Sequence, residues 1–228
     1  MPINLKDLVI ANKSQFILMF GTLIAQVFST LSIFLVANKI NPTEYGEYSW
    51  ILISLNILTP ISLFKLEVRI VNANENEVSN FFKHAILKLV SVSVFILVPF
   101  WFIVSWFWNF PISKALTVLS FIFLLNIVIN SCLLMIAIAL RKKNYLSVAI
   151  SSIIQNASTI IFQVLFLKFG NSLILLLSAF LLGRFLSILV IFLWKDNRIS
   201  IARIVKNIGN DKGNKLNHDV SLMLTNPH

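Results

Sequence analysis

The chain has 228 residues, of which 57% are hydrophobic and 12% are charged, and it carries a formal net charge of +10. This composition excludes an ordinary soluble domain, because about 25% of the residues of such a domain are charged. The cations are spread along the chain and not gathered in one module. They therefore indicate membrane topology and contact with anionic lipid, and no nucleic-acid partner is expected.

Six long apolar stretches follow one another along the chain. A hydrocarbon core about 30 Å thick requires about 20 apolar residues in a helix. Five of the stretches contain a charge-free run of nearly this length or more, and the sixth carries Arg184. The sequence therefore predicts an all-α integral membrane protein, a six-transmembrane-helix bundle with spans at about 14–38, 46–66, 86–108, 115–140, 144–167 and 170–194.

The distribution of Lys and Arg predicts the orientation of this bundle. Fifteen of the nineteen lie at the two ends or in alternate gaps, and the gaps between those hold Lys39, Lys114 and Lys168. Loops rich in Lys and Arg stay in the cytoplasm, so both termini are expected to be cytoplasmic. Tyr45, Tyr48 and other aromatic residues near the outer ends are interpreted as an interfacial belt.

The segment 195–228 differs from the spans. Ile201, Ile204, Val205 and Ile208 recur at helical spacing with cations between them, whereas the chain after Gly209 is polar. This pattern predicts a cytoplasmic basic amphipathic helix that lies on the inner leaflet, followed by a polar tail.

No set of residues indicates an enzyme. The three histidines are scattered, neither metal-ligand spacing nor a glycine-rich phosphate loop is present, and no acidic residue falls in the middle of a span. We therefore expect no catalytic residue, metal or cofactor, and coupling to a cation is disfavoured. Cys132 lies alone in the fourth span, and the glycosylation sequon at Asn156 is attributed to chance because it lies inside the fifth.

Neutral polar residues form stripes at helical spacing on three of the spans. An amide that faces lipid costs several kcal/mol, so each stripe is expected to face another helix or a cavity. One interpretation is hydrogen bonding between helices. The other is one shared polar cavity suited to sugars, on which the three stripes converge: Thr22, Gln26 and Thr30 in the first span, Asn126 and Asn130 in the fourth, and Gln155, Thr159 and Gln163 in the fifth.

Arg184 is a candidate binding residue because it lies near the middle of the sixth predicted span. An intramembrane arginine costs at least about 2.5 kcal/mol, and an anionic ligand such as a phosphate would compensate its charge. The alternative is that it reaches the inner headgroups. Lys65 and Arg69, together with Lys88, either form a basic vestibule or anchor their helices at the cytoplasmic end.

Three segments resemble one membrane-protein family. They are FLVANKINPTEYGEYSW in the first outer turn, LFKLEVRIVNANENEVSNFFKHAI at the end of the second span, and IALRKKNYLSVAISSIIQN around the loop after the fourth. In order and spacing they resemble the amino-terminal half of polysaccharide (O-antigen type) flippases, in the multidrug, oligosaccharidyl-lipid and polysaccharide exporter superfamily. The resemblance implies flipping of an undecaprenyl-pyrophosphate-linked oligosaccharide across the bacterial cytoplasmic (inner) membrane. It also implies a central cationic cavity, onto which Lys65, Arg69, Lys88 and Arg184 map.

Members of that family contain two such halves, whereas this chain has one. A parallel homodimer, a separate second half and a truncated product are therefore all open. A different reading is the six-span membrane subunit of an ATP-driven polysaccharide exporter, which an ATPase partner or a coupling helix within residues 65–88 would indicate. A third is a non-transporting membrane partner in glycan assembly.

Overall fold

The computed structural model describes residues 5–63, 65–108, 112–170 and 172–206, and these residues form helices and short turns. The helices, in chain order, are α1 (Leu5–Ala37), α2 (Pro42–Leu63), α3 (Leu66–Asn72), α4 (Glu75–Trp108), α5 (Ile112–Arg141), α6 (Tyr145–Phe166) and α7 (Leu173–Leu193). A further helix, α8, is described over residues 195–206.

Five of the described helices contain a segment long and apolar enough to cross a membrane: Lys13–Ala37, Glu77–Phe95, Leu116–Arg141, Tyr145–Phe166 and Leu173–Leu193. A sixth is obtained if α2 and α3, which are bent by 50° relative to each other, count as one span. The predicted all-helical architecture with several apolar helices of spanning length is therefore confirmed.

The helix boundaries agree best with the prediction where the apolar run alone determines the helix. The last two predicted spans, 144–167 and 170–194, correspond to α6 and α7 within a few residues. In contrast, α4 begins at Glu75 and not near residue 86. Its first turn carries Glu75 and Glu77, which interact favourably with the helix dipole, and Val78, Phe82 and Ala85 bury an amphipathic face.

Small residues determine how α1, α6 and α7 pack. A Cβ built at Gly21 of α1 would lie 2.5 Å from Ala149 Cβ of α6, and one built at Gly183 of α7 would lie 2.9 Å from the Gln155 carbonyl of α6. Such close approach requires residues without a side chain. As a result α1 packs mainly on α6, α6 packs on α7, and α7 packs on α5, which also contacts α2, α3 and α4.

α8 packs against the bundle, which differs from the expectation that its apolar face lies on the inner leaflet. Ile201 and Ile204 join a cluster formed by α3, α4 and α5, and Asn197 Nδ2 donates to Ser147 Oγ at 3.2 Å. Protein therefore covers the part of this face formed by Ile201 and Ile204, because α3 and the start of α4 present a matching apolar surface. Val205 stays exposed, and Ile208 and the polar tail lie outside the described residues.

Cations hold the same end of the bundle together. Arg141 at the end of α5 donates to the carbonyls of Ile70 and Ala73, which are orphan acceptors where α3 ends. Lys142 Nζ lies 3.3 Å from Glu75 Oε1, and this hydrogen bond lowers the pKa of the Glu75 carboxyl.

Candidate functional site

A cleft of about 370 Å³ separates α1 and α2 and reaches α6 and α7 at its floor. It exists because α1 packs on α6 and α2 packs on α5, whereas α1 and α2 contact each other at few points. Its volume falls within the range of small-molecule sites, roughly 300–1,000 Å³.

Hydroxyl and amide groups line much of this cleft. Tyr45 and Tyr48 contribute phenol groups, and smaller polar side chains come from Ser29, Ser32, Ser49, Asn56, Asn156 and Thr159. Among the described residues that line the cleft, only Arg184 carries a charge. The described part of the cleft therefore offers hydrogen-bond donors and acceptors around one cation, and no acidic residue is among its lining residues.

Arg184 lies near the middle of α7, with its guanidinium between two neighbours. One Nη donates to Gln155 Oε1 of α6 at 3.0 Å, and the guanidinium carbon lies 5.2 Å from the centre of the Phe180 ring. Its Nε is buried without a hydrogen-bond partner. Phe180 is one turn closer to the start of α7, so the side chain points away from the helix end at Leu193. This direction argues against the alternative that Arg184 reaches the inner headgroups.

Gln163 closes one end of the cleft and contacts both of its walls. Its Oε1 accepts a hydrogen bond of 2.5 Å from Ser32 Oγ of α1, and its Nε2 donates to Tyr48 Oη of α2 at 3.2 Å. Only 1% of the Gln163 side chain is exposed. Gln163 therefore connects α1 and α2 through α6, and its amide is already satisfied by protein.

The polar stripe of α5 lies in the core and not in the cleft. Asn126 Nδ2 donates to Ser93 Oγ at 2.7 Å and to Ser62 Oγ at 3.2 Å, which connects α5 to α4 and α2. Asn130 Nδ2 donates to Asn126 Oδ1 at 2.9 Å. Both asparagines are buried, so this stripe follows the interhelical hydrogen-bonding interpretation.

The expectation that the three stripes converge is wrong. Thr22, Gln26 and Thr30 lie on an exposed face of α1, because Gly21 and Ala25 turn the opposite face toward α6. The threonine hydroxyls donate to the carbonyls of Leu18 and Gln26, four residues earlier, and thereby satisfy themselves on their own helix. Of the three stripes, the one on α6 reaches the cleft, through Gln155 and Thr159.

The predicted basic residues are separated from Arg184. Lys65 lies at the bend between α2 and α3 in a left-handed conformation, with φ of 59°, and it is exposed. Arg69 on α3 and Lys88 on α4 are also exposed, and neither they nor Lys65 line the cleft. Both predictions for these three residues, a basic vestibule and anchoring of the helices at the cytoplasmic end, are compatible with their exposure.

Several residues of the cleft are not among the predicted site residues. Tyr45 and Tyr48 fit an aromatic belt in the sequence, and Asn156 belongs to a sequon attributed to chance. Asn156 directly follows Gln155, which is a predicted site residue, whereas Tyr45 and Tyr48 have no such neighbour. The missing information was which helix faces which.

Cysteine labelling distinguishes the cleft from the core. We expect cysteine at Ser49 or Asn156 to react with a water-soluble thiol reagent, because both positions line the cleft. Cysteine at Asn130 is expected to stay unreactive, because that position is fully buried. The native Cys132 is buried as well and provides the background rate. Labelling at Asn130 as fast as at Ser49 would contradict this arrangement.

Comparison with family models, with curated proteins and with solved structures finds no match to this chain.

Proposed function

We propose that this protein is a flippase for lipid-linked oligosaccharides in the bacterial cytoplasmic membrane, acting as one half of a two-half transporter. The cleft binds the headgroup of the lipid-linked glycan, with Arg184 on the phosphate groups and the surrounding hydroxyls and amides on the sugars. The observation that carries this proposal is a partly buried cation, the one charged residue among the described residues that line the cleft, whose bonded neighbour is the neutral amide of Gln155.

The chemistry of the cleft supports this class of substrate. Neutral amides and hydroxyls match the alternating donors and acceptors of a sugar. A guanidinium forms bidentate, charge-assisted hydrogen bonds to phosphate oxygens. The three sequence segments that resemble polysaccharide flippases favour the same class of substrate.

Flipping is measured with purified protein in liposomes that contain a fluorescent undecaprenyl-pyrophosphate disaccharide. Dithionite added outside bleaches only the outer leaflet, so flipping exposes the protected half of the fluorescence. We expect loss of this protected half with the chain alone or with two copies fused in tandem. Full protection in both preparations would contradict the proposal.

The proposed topology has six spans, with α2 and α3 forming one broken span, and both termini in the cytoplasm. A reporter enzyme that is active only outside the cytoplasm is expected to be inactive when fused after Asn210, and active when fused within the turn at Asn41. Activity after Asn210 would contradict a cytoplasmic C-terminal segment, and together with activity at Asn41 it would exclude an even number of spans.

A second candidate function is the membrane subunit of an ATP-driven polysaccharide exporter, and α3 favours it. This seven-residue helix buries Leu66 and Ile70 against the bundle and exposes Val68 and Arg69. It lies in the segment 65–88, where a coupling helix of such a subunit is expected. Co-purification of an ATPase that is lost in Val68→Asp would support this function over the first.

A further inference from the structure

Arg184 and Gln155 form a pair in which a cationic guanidinium is hydrogen-bonded to a neutral side-chain amide. Gln155 Oε1 accepts a hydrogen bond from the guanidinium at 3.0 Å, and the Arg184 Nε has no partner. We propose that Gln155 is the residue that determines the specificity of the cleft, because it competes with the ligand for Arg184 and yields only to an oxyanion. This inference rests on the proposed function in one respect, namely that the cleft binds a ligand.

The competition follows from the strength of the two kinds of hydrogen bond. A neutral ligand such as a sugar hydroxyl would replace one neutral acceptor of the guanidinium by another, with little net gain. A phosphate oxygen forms a charge-assisted bond that is roughly twice as strong. Gln155 therefore keeps its hydrogen bond to Arg184 against a sugar hydroxyl and loses it to a phosphate oxygen.

The unsatisfied Nε adds to this preference. A buried donor without a partner raises the free energy of the empty cleft. Gln155 satisfies one Nη of the guanidinium and leaves Nε unpaired. An oxyanion that accepts from two nitrogens removes this cost, whereas a single neutral acceptor does not.

Anion binding is expected to depend on residue 155 being uncharged. A glutamate here has the same shape and sits within reach of the guanidinium, so it would form a permanent ion pair and cancel the one charge of the cleft. A leucine would remove the competing acceptor and leave the cation stacked on Phe180. The two substitutions therefore act on anion binding in opposite directions.

The experiment titrates the purified full chain in detergent with inorganic pyrophosphate and with farnesyl pyrophosphate at low ionic strength. We expect Gln155→Glu to weaken binding of both probes by at least about tenfold. Gln155→Leu is expected to bind them as tightly as the parent or more tightly. A control, Asn156→Asp, places the same charge on the next residue of the same cleft, where Asn156 Nδ2 bonds to Ser152 O and not to Arg184. It is expected to weaken binding clearly less than Gln155→Glu does, because it adds a charge to the cleft without forming an ion pair with Arg184.

Two results of this titration would overturn the inference. If Gln155→Leu loses binding as Gln155→Glu does, Gln155 holds Arg184 in place or contacts the ligand, and it is not a competitor. If Asn156→Asp weakens binding as much as Gln155→Glu, the overall charge of the cleft matters and the pair does not. If farnesyl pyrophosphate binds more tightly than pyrophosphate, the ligand is assigned as a lipid headgroup. Equal affinities assign the free anion. The inference holds in both cases.

The binding experiment is independent of flipping. Anion binding with the expected order of variants, without flipping in liposomes, would keep the role of Gln155 and reject the flippase. Flipping that is the same in Gln155→Glu and in the parent would keep the flippase and reject this role.

Discussion

Arg184→Ala is expected to abolish the glycan flipping proposed for this chain. The substitution removes the one charge among the described residues of the cleft, and with it the two or more charge-assisted hydrogen bonds that the proposed phosphate ligand would accept. Such bonds contribute about 1.5–3 kcal/mol each, which corresponds to a loss of about a hundredfold or more in affinity. Arg184→Lys should keep part of the activity, because lysine preserves the charge without the bidentate geometry.

The matched control for this experiment is Arg198→Ala. Arg198 is exposed on α8 and does not line the cleft, so its loss removes one cation and leaves the site intact. Both variants are compared in the dithionite assay at equal protein content. Flipping that survives Arg184→Ala would remove Arg184 from the site and would end the argument about Gln155 as well.

Gly183→Leu is expected to prevent α6 and α7 from packing. Even a Cβ at this position collides with Thr159 Oγ1 and lies 2.9 Å from the Gln155 carbonyl, and a leucine adds three further carbon atoms. Overpacking costs about 1–3 kcal/mol where side chains yield, and a contact with backbone leaves less room to yield. We expect little monodisperse protein in size-exclusion chromatography and a clearly lower melting temperature for what remains.

Gly46 provides the control, because a Cβ there meets nothing within 4 Å. Gly46→Ala lies on an exposed position of α2 and should leave the melting temperature unchanged or raise it, since alanine favours a helix over glycine by about 0.5–1 kcal/mol. Thr159→Ala should rescue Gly183→Ala in part, because it removes the nearest atom and leaves the Gln155 carbonyl in place. Normal stability of Gly183→Leu would show that α6 and α7 lie further apart than described here.

The positions of the helices could be predicted from the sequence wherever apolar length decides them. α5, α6 and α7 follow the apolar runs closely, because burying or immersing such a run requires a continuous helix. The start of α4 could not be predicted in this way. Residues 75–85 are amphipathic, and whether their apolar face is covered depends on α5 and α8, which are distant in the sequence.

Two residues of the candidate site could be predicted from the sequence, whereas their arrangement could not. Arg184 and Gln155 each stand out, the first as a charge inside a span and the second as an amide in a polar stripe. Their hydrogen bond depends on Gly183, which brings α7 close to α6. The spacing of Gln26 and Asn130 indicates a polar face equally well, and only the choice of neighbouring helices separates these residues from the cleft.

The hydrogen bonds of Gln163 have a mechanical consequence for the two walls of the cleft. They fasten α1 to α2 through α6 near the turn at residues 38–41, whereas α1 and α2 contact each other directly at few points over their described lengths. Two helices that are connected at one end separate most easily at the other end, and the connected end acts as a hinge. We therefore expect the cleft to widen at the end remote from Gln163, so that the headgroup of the proposed substrate would enter past Asn56 rather than past Tyr45.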